Sequence, residues 1–96
     1  MTRFMSLLTF TDQGIRDVKQ SIQRADGFRK SVDAAGGKVI SQYWLVGEAD
    51  GCVVFEAPDD QVASALLLSL GQQGNVHTRT LRVYDTQEFE RILAKA

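Results

Sequence analysis

Short apolar stretches alternate with amphipathic ones along this chain, and their order predicts its architecture. Arg3 to Phe10 (RFMSLLTF) has apolar residues in both alternating sets, Phe4, Leu8 and Phe10 against Met5 and Leu7, as a strand covered on both sides requires. Thr11 or Asp12 then offers a helix cap, and Ile15, Val18 and Ile22 follow at helical spacing. Phe28, Val32 and Ala35 resume that spacing after Asp26-Gly27, so the helical region is expected to break between Gln23 and Gly27 and to end at Gly36-Gly37. Lys38 to Val46 (KVISQYWLV) and Cys52 to Ala57 (CVVFEA) read as two further strands, joined by the tight connection Gly47-Glu48-Ala49-Asp50-Gly51 with Asp50-Gly51 as its turn signal. Asp59-Asp60 opens a helix in which Val62, Ala65, Leu66, Ser69 and Leu70 share a face, with Gly71 as its stop. Val76 to Tyr84 (VHTRTLRVY) is the fourth strand, and Asp85 or Thr86 caps a terminal helix whose apolar side is Phe89, Ile92 and Leu93.

This order, β-α-β-β-α-β with an added helix, predicts one α+β domain over residues 1–96 with the ferredoxin-like antiparallel sheet. The first and third strands belong in its centre, because both are apolar on both faces. The fourth carries His77, Thr78, Arg79, Thr80 and Arg82, as an edge strand can. Helices on one face only leave the other face of the central strands uncovered. An identical sheet is the simplest cover, which predicts a homodimer or higher oligomer formed through that face.

Composition narrows the function classes. A chain of 96 residues with 44% hydrophobic and 24% charged residues is neither disordered nor low in complexity. A net charge of −1 supplies no electrostatic footprint for nucleic acid or an anionic membrane. One cysteine, Cys52, and one histidine, His77, leave no zinc cluster and no disulfide framework, and no cofactor motif is readable. No apolar run approaches a membrane span, and Met1-Thr2-Arg3-Phe4 does not open a signal peptide, so a cytoplasmic location is expected.

The stretches GEADGCVVFEAPDD and LSLGQQGNVHTRTLRVYD, in that order and spacing, resemble the GYD domain family, and the likeness extends from FMSLLTFTDQGI to the terminal helix. The family's Gly-x-Tyr-Asp motif falls on Gly47, Glu48, Ala49 and Asp50, with Ala49 where the family has its aromatic residue. The resemblance implies a fold of the dimeric α+β barrel type and brings no assigned chemistry.

Candidate site residues are few. Gly47 and Asp50 fit a turn, Gly47 by its backbone freedom and Asp50 by hydrogen-bonding the loop. His77 is the natural general-base candidate, with Arg79 on the same strand face able to hold an anion, yet no nucleophile–base pair is readable beside them. Tyr43 and Trp44 point to opposite faces of their strand, and either ring can pack or line a small pocket. Cys52 is expected to be a buried, inert thiol, and Glu56 an outward residue at its strand's end. Two functions follow. One is a non-catalytic module for assembly or for a small apolar or anionic ligand, with Tyr43, Trp44, His77 and Arg79 as contacts. The alternative is a cofactor-free enzyme, a small monooxygenase or isomerase, with His77 in an apolar pocket. An enclosed His77 beside Arg79 favours the enzyme, and an exposed one favours the module.

Overall fold

The computed structural model describes all 96 residues. Its elements are strand β1 (Thr2–Phe10), helix α1 (Asp12–Arg16), a 3₁₀ turn (Val18–Gln20), α2 (Ser21–Ala34), β2 (Lys38–Trp44), β3 (Gly51–Ala57), α3 (Asp60–Gln72), β4 (Val76–Arg82) and α4 (Thr86–Lys95). The strands form one antiparallel sheet in the order β2-β3-β1-β4, the ferredoxin-like arrangement, with the two doubly apolar strands in its centre.

Phe55 of β3 anchors the core and is fully buried. Phe4 stacks on its ring at 5.7 Å, and Phe28 of α2 meets it edge-on at 5.5 Å, both favourable aromatic geometries. Val32 from α2 and Ala63, Leu66 and Leu70 from α3 close over Val53, Phe55 and Ala57. Ser6 is buried within this apolar layer, and its hydroxyl is paired with that of Thr80 at 2.9 Å. The opposite face of the sheet presents Met5 across from Val54 and Leu81, and Leu7 across from Cys52 and Arg79. None of these side chains is buried, and Leu81 is 53% exposed. At one end of this open face Arg3 and Glu56 form an ion pair at 3.1 Å.

The helical stretch after β1 differs from the sequence reading. Its break falls at Asp17 to Gln20, ahead of the expected Gln23–Gly27. At the break the Arg24 guanidinium donates to the Gly14 carbonyl at 3.2 Å and shares the Asp17 carbonyl, at 2.9 Å, with the Gln20 N–H, bracing the end of α1. Gly27 lies within α2, where its ~1 kcal/mol helix penalty is outweighed by burial of Phe28 and Val32, each worth ~1.5–3 kcal/mol. Asp26 adds ion pairs to Arg29 and Lys30 one turn on. Ile15, Val18 and Ile22 do not face the core; all three are exposed, Ile22 by 72%.

Other ends also shift. The α3 helix runs past Gly71 to Gln72, and Gly74 (φ 83°) makes the exit. It buries Ala63 along with Leu66 and Leu70, while Ala65 and Ser69 face outward. β2 stops at Trp44 and β4 at Arg82, each two residues short of the expected end. Val39 pairs with Phe55 and Ser41 with Val54, so Ile40 is an unpaired bulge in β2. Asp85 and Glu88 form a reciprocal capping box at the start of α4.

Candidate functional site

A cleft of about 620 Å³, including its open mouth, lies between α2, α3 and the core face of the sheet. Its walls are apolar: Leu8 and Phe10 from β1, Phe28 from α2, Val53 from β3, Leu70 from α3 and Val76 from β4. The polar groups at its rim are engaged in holding the fold. Arg24 is committed to the end of α1, and Gln42 Nε2 donates to the Ala25 carbonyl at 3.2 Å. Asp50 Oδ2 accepts the Phe10 N–H at 2.8 Å, while the Asp50 N–H donates to the Leu8 carbonyl at 2.8 Å. Asn75 accepts the Thr11 N–H with its backbone carbonyl and the Gln13 amide with its side chain. An apolar cavity whose rim guanidinium, amides and Asp50 carboxylate brace the backbone suits an apolar guest.

The sequence-derived candidates are not brought together. Trp44, half exposed, lines the cleft. Tyr43 borders it but belongs to the other alternating set, paired with Cys52 across the open face. His77 and Arg79 stand on edge strand β4 opposite Thr9 and Leu7, both exposed and outside the cleft. Gly47 adopts φ 150° in the β2–β3 connection with open space around it, and Asp50 ties that connection to β1. The connection is a six-residue loop, not a tight Asp-Gly turn, because Gly51 is already in β3. Ala49, at the family's aromatic position, is buried. Cys52 is half buried on the open face and is not the enclosed thiol expected, since no helix covers its side of β3. Glu56 is held by Arg3 at the end of its strand. Sequence spacing carries no sign of Arg24, Gln42 or Asn75, because each acts on backbone distant in the chain.

These placements separate two polar residues of similar standing in the sequence. Asp50→Ala is expected to cost about 1–3 kcal/mol, because it leaves the Phe10 N–H without an acceptor at the end of a central strand. His77→Gln should leave the unfolding midpoint within ~0.5 kcal/mol of the parent, as an exposed substitution does. Urea melts of both variants check the pair, and equal losses would contradict it.

The second surface is the open sheet face itself. Its middle is Met5, Leu7, Cys52, Val54 and Leu81; polar groups stand around it, with Arg3 and Glu56 at one end and His77 and Arg79 along β4. Apolar centres rimmed by polar groups are the ordinary anatomy of a protein interface.

Known proteins supply an independent comparison. Residues 4–93 match the family model described as GYD domain. The chain is also similar to a Thermus thermophilus protein named "Glutamine synthetase and cystathionine beta-lyase binding protein". The two are 30% identical over 82 residues, which cover 84% of this chain and 86% of that protein.

Proposed function

We propose that this chain, which belongs to the GYD domain family, is a non-catalytic protein-binding module. It acts as a single domain that pairs with a second copy through the open sheet face. The observation that carries this reading is the apolar middle of that face, half-buried Met5, Leu7 and Val54 on the central strands beside exposed Leu81 on one edge strand. Leaving such a surface in water forgoes ~25 cal/mol for each Å² that a partner would cover. The enzyme reading needs His77 in an apolar pocket with a catalytic partner; His77 lies outside the cleft, on the open face, with Arg79 and no carboxylate as its neighbour along β4. The cleft, apolar and lined by Trp44, suits a small apolar ligand or an apolar side chain of a bound protein. A single free thiol at Cys52 accords with work in a reducing cytoplasm.

The name of the Thermus relative supports enzymes as targets, and the reading extends to this chain the classes of partner in that name. The experiment mixes the purified chain with glutamine synthetase, and separately with cystathionine beta-lyase, from its own organism. Sedimentation velocity at micromolar concentration is expected to show a complex with at least one of them. Free sedimentation of all components in both mixtures would refute the choice of targets.

A further inference from the structure

Helix α4 has the strongest separation of apolar and polar sides among the longer helices, and its apolar side is only partly covered. Phe89, Ile92 and Leu93 share that side, and all three are exposed. The helix is tied down only near its start. Glu88 reaches Arg82 at 3.6 Å and Arg3 at 4.0 Å, and Asp85 reaches Arg3 at 3.8 Å. Tyr84, just before it, lies under the Arg82 guanidinium at 4.4 Å. Beyond Glu88 the helix projects, and the molecule measures 48 × 30 × 18 Å, with a radius of gyration of 14.2 Å against the ~13 Å usual for this length.

Isolated ten-residue helices are marginal in water, so an α4 with a partly covered apolar stripe calls for a surface to lie on. We infer that α4 is an exchanged arm, which lays Phe89, Ile92 and Leu93 against a second copy of this chain when the open sheet faces stack. The inference rests on the proposed pairing of those faces and adds the element that completes it.

Interface size carries the choice of occupant. Four strands of about seven residues give each open face roughly 440 Å², so stacked faces alone cover about 900 Å². Stable specific interfaces need ~1,200–2,000 Å². Each α4, about 15 Å long and ~10 Å across, adds roughly 300 Å² when docked, and two-fold symmetry supplies two such dockings. The total of about 1,500 Å² then falls inside the stable range. The pairing side of the sheet and the arm are also physically continuous. Arg3 holds Glu56 on the open face and reaches the first turn of α4, and its Nε has no acceptor within the protomer.

The test compares the full chain, a chain ending at Tyr84, and the Phe89→Glu/Leu93→Glu double variant, with circular dichroism melts to establish that each is folded. Sedimentation equilibrium reads the mass, and the reaction rate of Cys52 with a thiol-reactive chromogenic disulfide reads coverage of the open face. The full chain is expected to be a dimer with slow Cys52. Both altered chains should dissociate at least 100-fold more readily, with Cys52 faster by a similar factor under dilute conditions. Dimers of unchanged affinity in both altered chains would overturn the arm and leave the face-to-face pairing standing. A monomeric full chain would overturn both. Loss of target-enzyme binding with dimer affinity unchanged would reassign α4 to the target and equally overturn the arm.

Discussion

Gly14→Ala should lower the melting temperature of this protein by about 10 °C or more, whereas Gly27→Ala should raise it by a few degrees. Both glycines are helical, so local propensity favours alanine at each by ~1 kcal/mol. Their surroundings reverse the sign at one of them. A Cβ on Gly14 would sit 1.9 Å from the Asn75 carbonyl oxygen, whereas a Cβ on Gly27 would meet nothing within 4 Å. The Asn75 backbone cannot retreat cheaply, because its carbonyl accepts the Thr11 N–H, and the neighbouring Gly74 carbonyl accepts the Thr11 hydroxyl. Overpacking against fixed backbone costs ~1–3 kcal/mol or more, and each kcal/mol shifts the midpoint by ~4–8 °C in a domain of this size. Thermal melts of the two variants suffice, and a stabilised Gly14→Ala protein would show that α1 does not pack on the α3–β4 loop as described.

Val54→Lys is expected to leave a folded monomer. Position 54 is in the middle strand region of the open face, across from Met5 on one side and Ser41 on the other. In the protomer a lysine there can extend into water, so the fold should lose less than about 1 kcal/mol. In a face-to-face pair the same ammonium would be enclosed with its nearest carboxylate, Glu56, already held by Arg3, at several kcal/mol, and symmetry places one on each side. The dissociation constant should therefore rise by more than ~1,000-fold, which corresponds to about 4 kcal/mol. Light scattering across a dilution series measures it. A Val54→Lys protein that dimerises as tightly as its parent would move the interface elsewhere, with the exposed Ile15, Val18 and Ile22 the next apolar surface to test.

The sheet is legible in the sequence because strand patterns are local: RFMSLLTF and CVVFEA, apolar in both alternating sets, announce central strands, and HTRTLR announces an edge. The helices are less so. Ile15, Val18 and Ile22 have the spacing of a core face, and spacing alone cannot tell a face turned to the protomer from one turned outward. Propensity puts the helix break at Asp26-Gly27, while the actual break is braced by the Arg24 guanidinium on the carbonyls of Gly14 and Asp17, a side-chain contact across ten and seven residues. The cleft is hidden for the same reason. Of the four candidate ligand contacts, Trp44 and Tyr43 border it and His77 and Arg79 do not, because alternation along β4 puts those two on the far side of the sheet. Gly14 gives no signal at all, since its requirement comes from Asn75, sixty-one positions later in the numbering.

The bulge at Ile40 bears on how far association can go. An open sheet has two free edges, and a long flat edge strand recruits another chain's backbone and lets a sheet lengthen without limit. Here one edge, β2, is interrupted after its second residue, so a neighbour in register with Val39 loses it by Ser41. The other, β4, sets Arg79 and Arg82 along its length, and two copies meeting there would bring like charges together. Growth sideways is thus obstructed at both borders while stacking through the apolar face stays open. Raising the protein concentration should multiply closed particles of fixed mass and leave ribbons and fibrils unseeded.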